Sequence, residues 1–203
     1  MQQRTRNMLM LALIVAPFAA TILFVRLFVD PADMDSANKG NLIVPHVQLA
    51  ALAPAAEDGS AYTAEQTAGQ WSMVYIANGH CEQACKNALF YLMRQLRLSL
   101  DTDTPRVRRV IVHTDTPDEG MRDFLDNNVA GMVEVTAASD AVRAAFASVF
   151  DADETAIGKI YIMSPDAQIF LWYPSHDAQQ DVLLEADRIR ADLKRILKGS
   201  LIG

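Results

Sequence analysis

Cysteine is scarce here, with two residues in a chain of 203. That excludes a disulfide-stapled scaffold and any four-cysteine zinc or iron–sulfur site. The chain also has no glycine-rich phosphate loop, no Gly-x-Ser-x-Gly elbow and no His-Glu-x-x-His run. The sequence markers of nucleotide binding, serine hydrolysis and zinc proteolysis are therefore missing. Basic charge is in short supply: Lys and Arg total 18 against 25 Asp and Glu, a net charge of -7. This balance argues against a generic nucleic-acid binder. What is present suits a folded protein, with 51% apolar and 21% charged residues, and the length suffices to bury a core without staples.

Charge is absent altogether from Met8 to Val25, and Leu, Ile, Val, Ala, Phe and Met dominate the stretch. Extended to Val29, it would reach roughly 33 Å as a helix, enough to cross a bilayer, with Arg26 free to snorkel and Pro17 tolerated inside the span. The apolar run continues past Ala19–Ala20, where a cleaved signal would end, so an uncleaved anchor is expected. Arg4 and Arg6 precede the span and place the N-terminus in the cytoplasm. The rest of the chain, with a net charge of -10 beyond residue 29, then lies outside the inner membrane, in the periplasm. The expected organisation is a cytoplasmic segment 1–7, a transmembrane helix 8–29, a tether 30–46 and a globular domain 47–203.

Within that domain strands and helices alternate. Val47–Ala53 reads as a short edge strand. Ser72–Ala77 is a short apolar run suited to a buried strand. Cys85, Leu89, Leu92 and Leu96 are spaced four, three and four apart and mark one face of a helix. Val107–His113 reads as a second strand, and Pro117–Asn127 as a helix with Met121, Phe124 and Leu125 turned inward. Met132–Val135 reads as a third strand, and Ser139 as the N-cap of a helix using Val142, Phe146, Val149 and Phe150. Lys159–Met163 and Gln168–Tyr173 form a hairpin across Ser-Pro-Asp-Ala. A last amphipathic helix uses Val182, Ala186, Ile189, Leu193, Ile196 and Leu197 and stops at Gly199. Parallel crossovers followed by an antiparallel pair and a terminal helix predict an α/β, thioredoxin-like sandwich of the glutaredoxin type, preceded by one N-terminal transmembrane helix.

The chemistry centres on Gly79-His80-Cys81-Glu82-Gln83-Ala84-Cys85. Cysteines four apart can share one face of a helical turn, close enough for a disulfide or for one metal ion between two sulfurs. Cys81 is expected in the loop before the helix, where unpaired N–H groups favour a thiolate, and His80 would add positive charge. A structural disulfide is the alternative, although a loop this short staples weakly. His113 ends a strand at the sheet edge from which the Cys81 loop leaves, so it is a candidate ligand or a solvated, turn-capping histidine. His176 is expected to be exposed between the last strand and the last helix. Trp172-Tyr173-Pro174 suits core packing or a partner surface.

The stretch from Gly69 to Cys85 resembles the active-site segment of the SCO/SenC family, G-K-W-x-L-V-Y-F-G-[FY]-T-H-C-P-x-x-C-P, with the same spacing. Val110–Pro117 and Ile160–Pro165 are similar to later segments of that family. The resemblance implies a membrane-anchored, thioredoxin-like protein of cytochrome c oxidase assembly, serving the copper centre of subunit II. Its partners would be that subunit or other oxidase assembly factors. Two departures stand out. Glu82 and Lys86 replace the prolines that follow each cysteine. The family's third copper ligand, a histidine, would fall near Ala156, and no histidine lies between His113 and His176. A proline at that place, which marks thioredoxin-type oxidoreductases, is missing as well. Cys81 and Cys85 alone carry over. Three readings follow: thiol–disulfide exchange at Cys81 and Cys85, which requires no cofactor; Cu(I) carriage by the two thiolates, with or without His113 as a metal ligand; or a redox-inert assembly module with a structural disulfide.

Overall fold

The computed structural model describes residues 38–151 and 153–200, with residues 3, 6, 10, 13–18, 20, 21 and 23. The expected membrane span falls largely outside these positions. Among the described residues no helix is long and apolar enough to cross a membrane.

The run Trp71–Ala77 forms β3, and every residue from Ser72 to Ala77 is buried, as a strand covered on both faces must be. It pairs in parallel with β4 (Val107–His113), in register from Trp71 opposite Val107 to Ala77 opposite His113. Strand β5 (Val133–Thr136) continues the parallel side. On the other side β6 (Lys159–Met163) and β7 (Gln168–Pro174) run antiparallel, joined by a tight turn in which the Ala167 amide donates to the Ser164 carbonyl at 2.9 Å. The sheet has seven strands, with β1 (Asn41–Gln48) on the β7 edge and the two-residue β2 (Ala55–Ala56) on the β5 edge.

Two apolar layers enclose the sheet. One packs Met73, Tyr75, Ala77 and Ile111 against Cys85, Leu89, Leu92 and Leu96 of helix α2 (residues 83–98, after the four-residue α1, Ala64–Thr67), Met121 and Leu125 of α3 (Glu119–Asn128), and Val182, Ile189 and Leu193 of the last helix (Gln179–Gly199). Helix α2 comprises Gln83–Asn87, a wider π-helical stretch Ala88–Gln95, and Leu96–Leu98. The other layer packs Val74, Ile76, Val110 and Val112 against Ile43, Leu52, Tyr62, Val142 and Phe146.

Two local expectations are corrected. The strand placed at Val47–Ala53 lies earlier, at Asn41–Gln48, and Leu49–Leu52 is a 3-10 turn. Ile43 and Val47 are the inward residues of β1, and a register irregularity between Leu42 and Val47 hides their alternation. Such irregularity, with Pro45 removing a donor, also discourages pairing at an exposed sheet edge. The helix Ser139–Ala145 is flanked by Ala138 at the N-cap, not by Ser139. The Ala137 amide is still bonded to the His113 carbonyl at 3.0 Å, which delays the first helical bond to Val142 N–Ala138 O.

Candidate functional site: a dithiol at the start of a helix

Strand β3 ends at Ala77, and the chain turns through Asn78 and Gly79 into the cysteine motif. Gly79 has φ +83°, a left-handed conformation that side chains disfavour. A Cβ at Gly79 would also lie 2.6 Å from the Thr116 carbonyl oxygen. Helix α2 begins at Gln83 with Glu82 as N-cap, and the Lys86 amide donates to the Glu82 carbonyl at 2.9 Å. Cys81 therefore stands just before the helix, partly exposed, while Cys85 lies inside it and is buried at 6% exposure. The two are joined in a disulfide, with Cα atoms 5.1 Å apart.

This is the asymmetry that exchange chemistry uses: an accessible sulfur at a helix N-terminus and a covered sulfur one turn on. The surroundings are built from three loops. His80 Nδ1 contacts Asp118 Oδ2 at 2.8 Å, and the Asp118 amide donates to the Gly79 carbonyl at 2.9 Å. Asp118 also caps α3, accepting the Met121 amide at 2.7 Å. The His80 contact, followed by the Met121 amide, lowers the Asp118 carboxyl from the ordinary carboxylate range. The Gly158 amide donates to the Ile76 carbonyl at 2.8 Å, so the loop before β6 lies against the end of β3. The Ser175 hydroxyl donates to the Gly158 carbonyl. Burial pushes the Tyr75 phenol up to about 12, with a hydrogen bond to Ser175 opposing the shift. Asn87 donates to the His176 and Asp177 carbonyls at 2.9 and 3.0 Å, fixing the segment after β7 against the cysteine helix.

The candidate histidines have other partners. His113 is 4% exposed, neither solvated nor turn-capping. Its Nε2 meets Glu134 Oε2 at 3.0 Å, and its Nδ1 is buried without a hydrogen-bond partner. Among the described residues no group of three or more His, Cys, Asp and Glu side chains is placed to hold a metal ion. The structure thus brings Cys81 and Cys85 together but does not gather them with His113 into a metal cluster. Ala156, near which the resemblance puts the third ligand, is buried in the apolar layer with Phe146, and its carbonyl accepts the Tyr161 hydroxyl at 2.7 Å. His176 is half-buried, not exposed, and contacts Glu185 Oε2 at 3.1 Å. Tyr173 is fully buried and Trp172 packs on Phe150, so these residues serve the core.

Asp118 is the site residue that the sequence reading missed. Its signal was local, an acidic N-cap candidate directly after Pro117, but nothing local tied it to His80.

Comparison with known proteins places this arrangement. None of the curated proteins matches the chain. Among solved structures, yeast Sco1 aligns with a TM-score of 0.53 at 14% identity, covering 82% of this chain and 98% of that one. Yeast Sco1 with copper bound aligns at 0.52 and 14% identity, covering 80% and 94%. BsSco, described as a member of the Sco family of cytochrome c oxidase assembly proteins with a disulfide switch, aligns at 0.50 and 14%, covering 77% and 96%. At these identities the likeness establishes a shared thioredoxin-like fold. The family described as the transmembrane-like, thioredoxin-like, C-terminal domain matches residues 71–200, from the first residue of β3 to the residue that follows the last helix. The chain belongs to that transmembrane-like, thioredoxin-like family.

Proposed function

We propose that the protein is a Sco-like assembly factor of cytochrome c oxidase, tethered to the inner membrane by residues 8–29, whose periplasmic domain exchanges its Cys81–Cys85 disulfide with a partner's cysteines. The observation that carries this is the closed disulfide with one accessible and one buried sulfur at a helix start, in a fold shared with Sco proteins. In the exchange, one thiolate of a partner dithiol attacks Cys81 Sγ and Cys85 leaves as a thiolate. The partner's second thiolate then attacks the mixed disulfide and releases Cys81. The partner loses two electrons and gains a disulfide, and its two thiol protons pass through solvent to Cys81 and Cys85. The reverse reaction keeps a partner's cysteines reduced for metallation.

The test is a trapped intermediate. With Cys85→Ser, a mixed disulfide between Cys81 and subunit II of the oxidase, or another oxidase assembly factor, should accumulate and vanish on adding dithiothreitol. No trapped partner, with normal oxidase copper content in a Cys81→Ser strain, would overturn the reading.

A second reading treats Cu(I) as cargo. Once reduced, the two sulfurs are soft, neighbouring donors that suit a low-coordinate Cu(I) ion, whereas Cu(II) prefers nitrogen and oxygen ligands. The reduced domain should bind one Cu(I) and form no stable Cu(II)–thiolate complex, and Cys81→Ser should abolish the binding. His113→Ala separates the two ligand sets: weakened Cu(I) affinity makes His113 a ligand, and unchanged affinity leaves the thiolates alone.

A further inference from the structure

The loop that delivers Cys81 is fastened to the start of α3 at two points on one residue. Asp118 accepts nothing from the cysteines, yet its carboxylate meets His80 at 2.8 Å and its amide meets the Gly79 carbonyl at 2.9 Å. The same carboxylate accepts the Met121 amide at 2.7 Å, so its position is set by a regular ten-residue helix packed into the core through Met121 and Leu125. Two sequential residues ahead of Cys81 are thereby held to a rigid element, while Cys85 is held by α2. Within residues 79–86 and 115–119 the other charges are Lys86, which acts on Asp118, and the exposed Glu82, Asp115 and Glu119.

We propose that His80 and Asp118 form a positioning clamp that keeps the Cys81 sulfur within reach of Cys85 and so strengthens the disulfide against reduction. The inference rests on the exchange reading above. Closing a disulfide is favoured by a high effective concentration of one thiol at the other, and that concentration falls when either carrier segment is free to wander. The clamp limits the wandering of the Cys81 segment. His80 and Asp118 act through the backbone of Cys81 and touch no reacting atom, so both are positioning residues.

A double-mutant cycle on the reduction equilibrium tests this. Asp118→Ser keeps an N-cap oxygen for Met121, since serine caps as well as aspartate, but is too short to reach His80 as well. His80→Ala removes the other partner and leaves the cap untouched. The full-length protein and the three variants are equilibrated with glutathione at one pH, and the dithiol fraction is counted by alkylation. Each single variant should shift the equilibrium toward dithiol by about two- to fivefold, within the range open to an exposed pair. The double variant should shift no further than either single one, because both remove the same contact. The equilibrium reads the disulfide itself, which a loss of global stability alone does not move, and thermal unfolding of the reduced forms checks that the cap survives.

Additive shifts, shifts of opposite sign or no shift, with a wild-type disulfide that equilibrates normally, would overturn the clamp and leave the exchange reading standing. A wild-type disulfide that never equilibrates with glutathione would overturn the exchange reading and the clamp with it.

Discussion

Replacing Asp192 with alanine should destabilise the domain by about 3–5 kcal/mol, since it orphans two buried donors at roughly 1–3 kcal/mol each and leaves a cavity. Asp192 lies in the last helix and is fully buried. Its carboxylate accepts the Gly40 amide at 2.8 Å, the Lys39 amide at 2.8 and 3.0 Å, and the Tyr173 hydroxyl at 2.8 Å. The Gly40 and Tyr173 contacts are buried, so both donors lose their acceptor away from bulk solvent. Burial first, and then this hydrogen bond, push the Tyr173 phenol far above its ordinary range. That hydroxyl therefore stays a donor at any working pH. Urea unfolding with an unchanged m-value is the measurement. Asp192→Asn keeps one acceptor oxygen and should cost much less. A loss below 1 kcal/mol for the alanine variant would mean that the start of β1 is not anchored through this carboxylate.

The Asp192 network also shows where the sequence stops being informative. Lys39 and Asp192 are 153 residues apart, and no periodicity links them. What could be read was what depends on neighbours. The short, mostly apolar run before the cysteines suits a strand covered on both faces, and the β-branched residues of Val107–His113 mark another strand. The Cys85, Leu89, Leu92 and Leu96 stripe fixed which side of α2 meets the sheet, and all four are buried. The cysteine pair was legible as a unit because its spacing lies within one turn. The polar contacts around it were not. His80 meets Asp118 across 38 residues and His113 meets Glu134 across 21, distances set by how β3, β4 and β5 align. Strand β1 was missed for a different reason: its alternation is broken by an irregular register around Pro45, so the segment reads as a polar tether.

Gly79→Ala should be the most damaging small substitution near the cysteines. Two costs combine there. At φ +83° an L-residue pays roughly 1–2 kcal/mol for the left-handed conformation. The new Cβ would also sit 2.6 Å from the Thr116 carbonyl oxygen and 3.3 Å from the Asp115 Cβ. The first of these is a backbone atom of the segment that leads into Asp118, so it cannot swing aside as a side chain would. Relief requires the 79–81 loop and the 115–118 loop to separate, which strains the Asp118 amide bond to the Gly79 carbonyl. The total should reach about 3 kcal/mol or more, with strain and overpacking together. Gly69→Ala is the matched control. Gly69 has φ +80° and no atom within 4 Å of its Cβ position, so it carries the conformational cost alone, about 1–2 kcal/mol. Denaturant midpoints of the two oxidised variants give the difference directly. A separated loop also lowers the effective concentration of Cys81 at Cys85, so Gly79→Ala should ease reduction of the disulfide by glutathione, and Gly69→Ala should leave it unchanged. Equal destabilisation by the two variants would show that the Thr116 contact yields freely and that the two loops are not held together at this point.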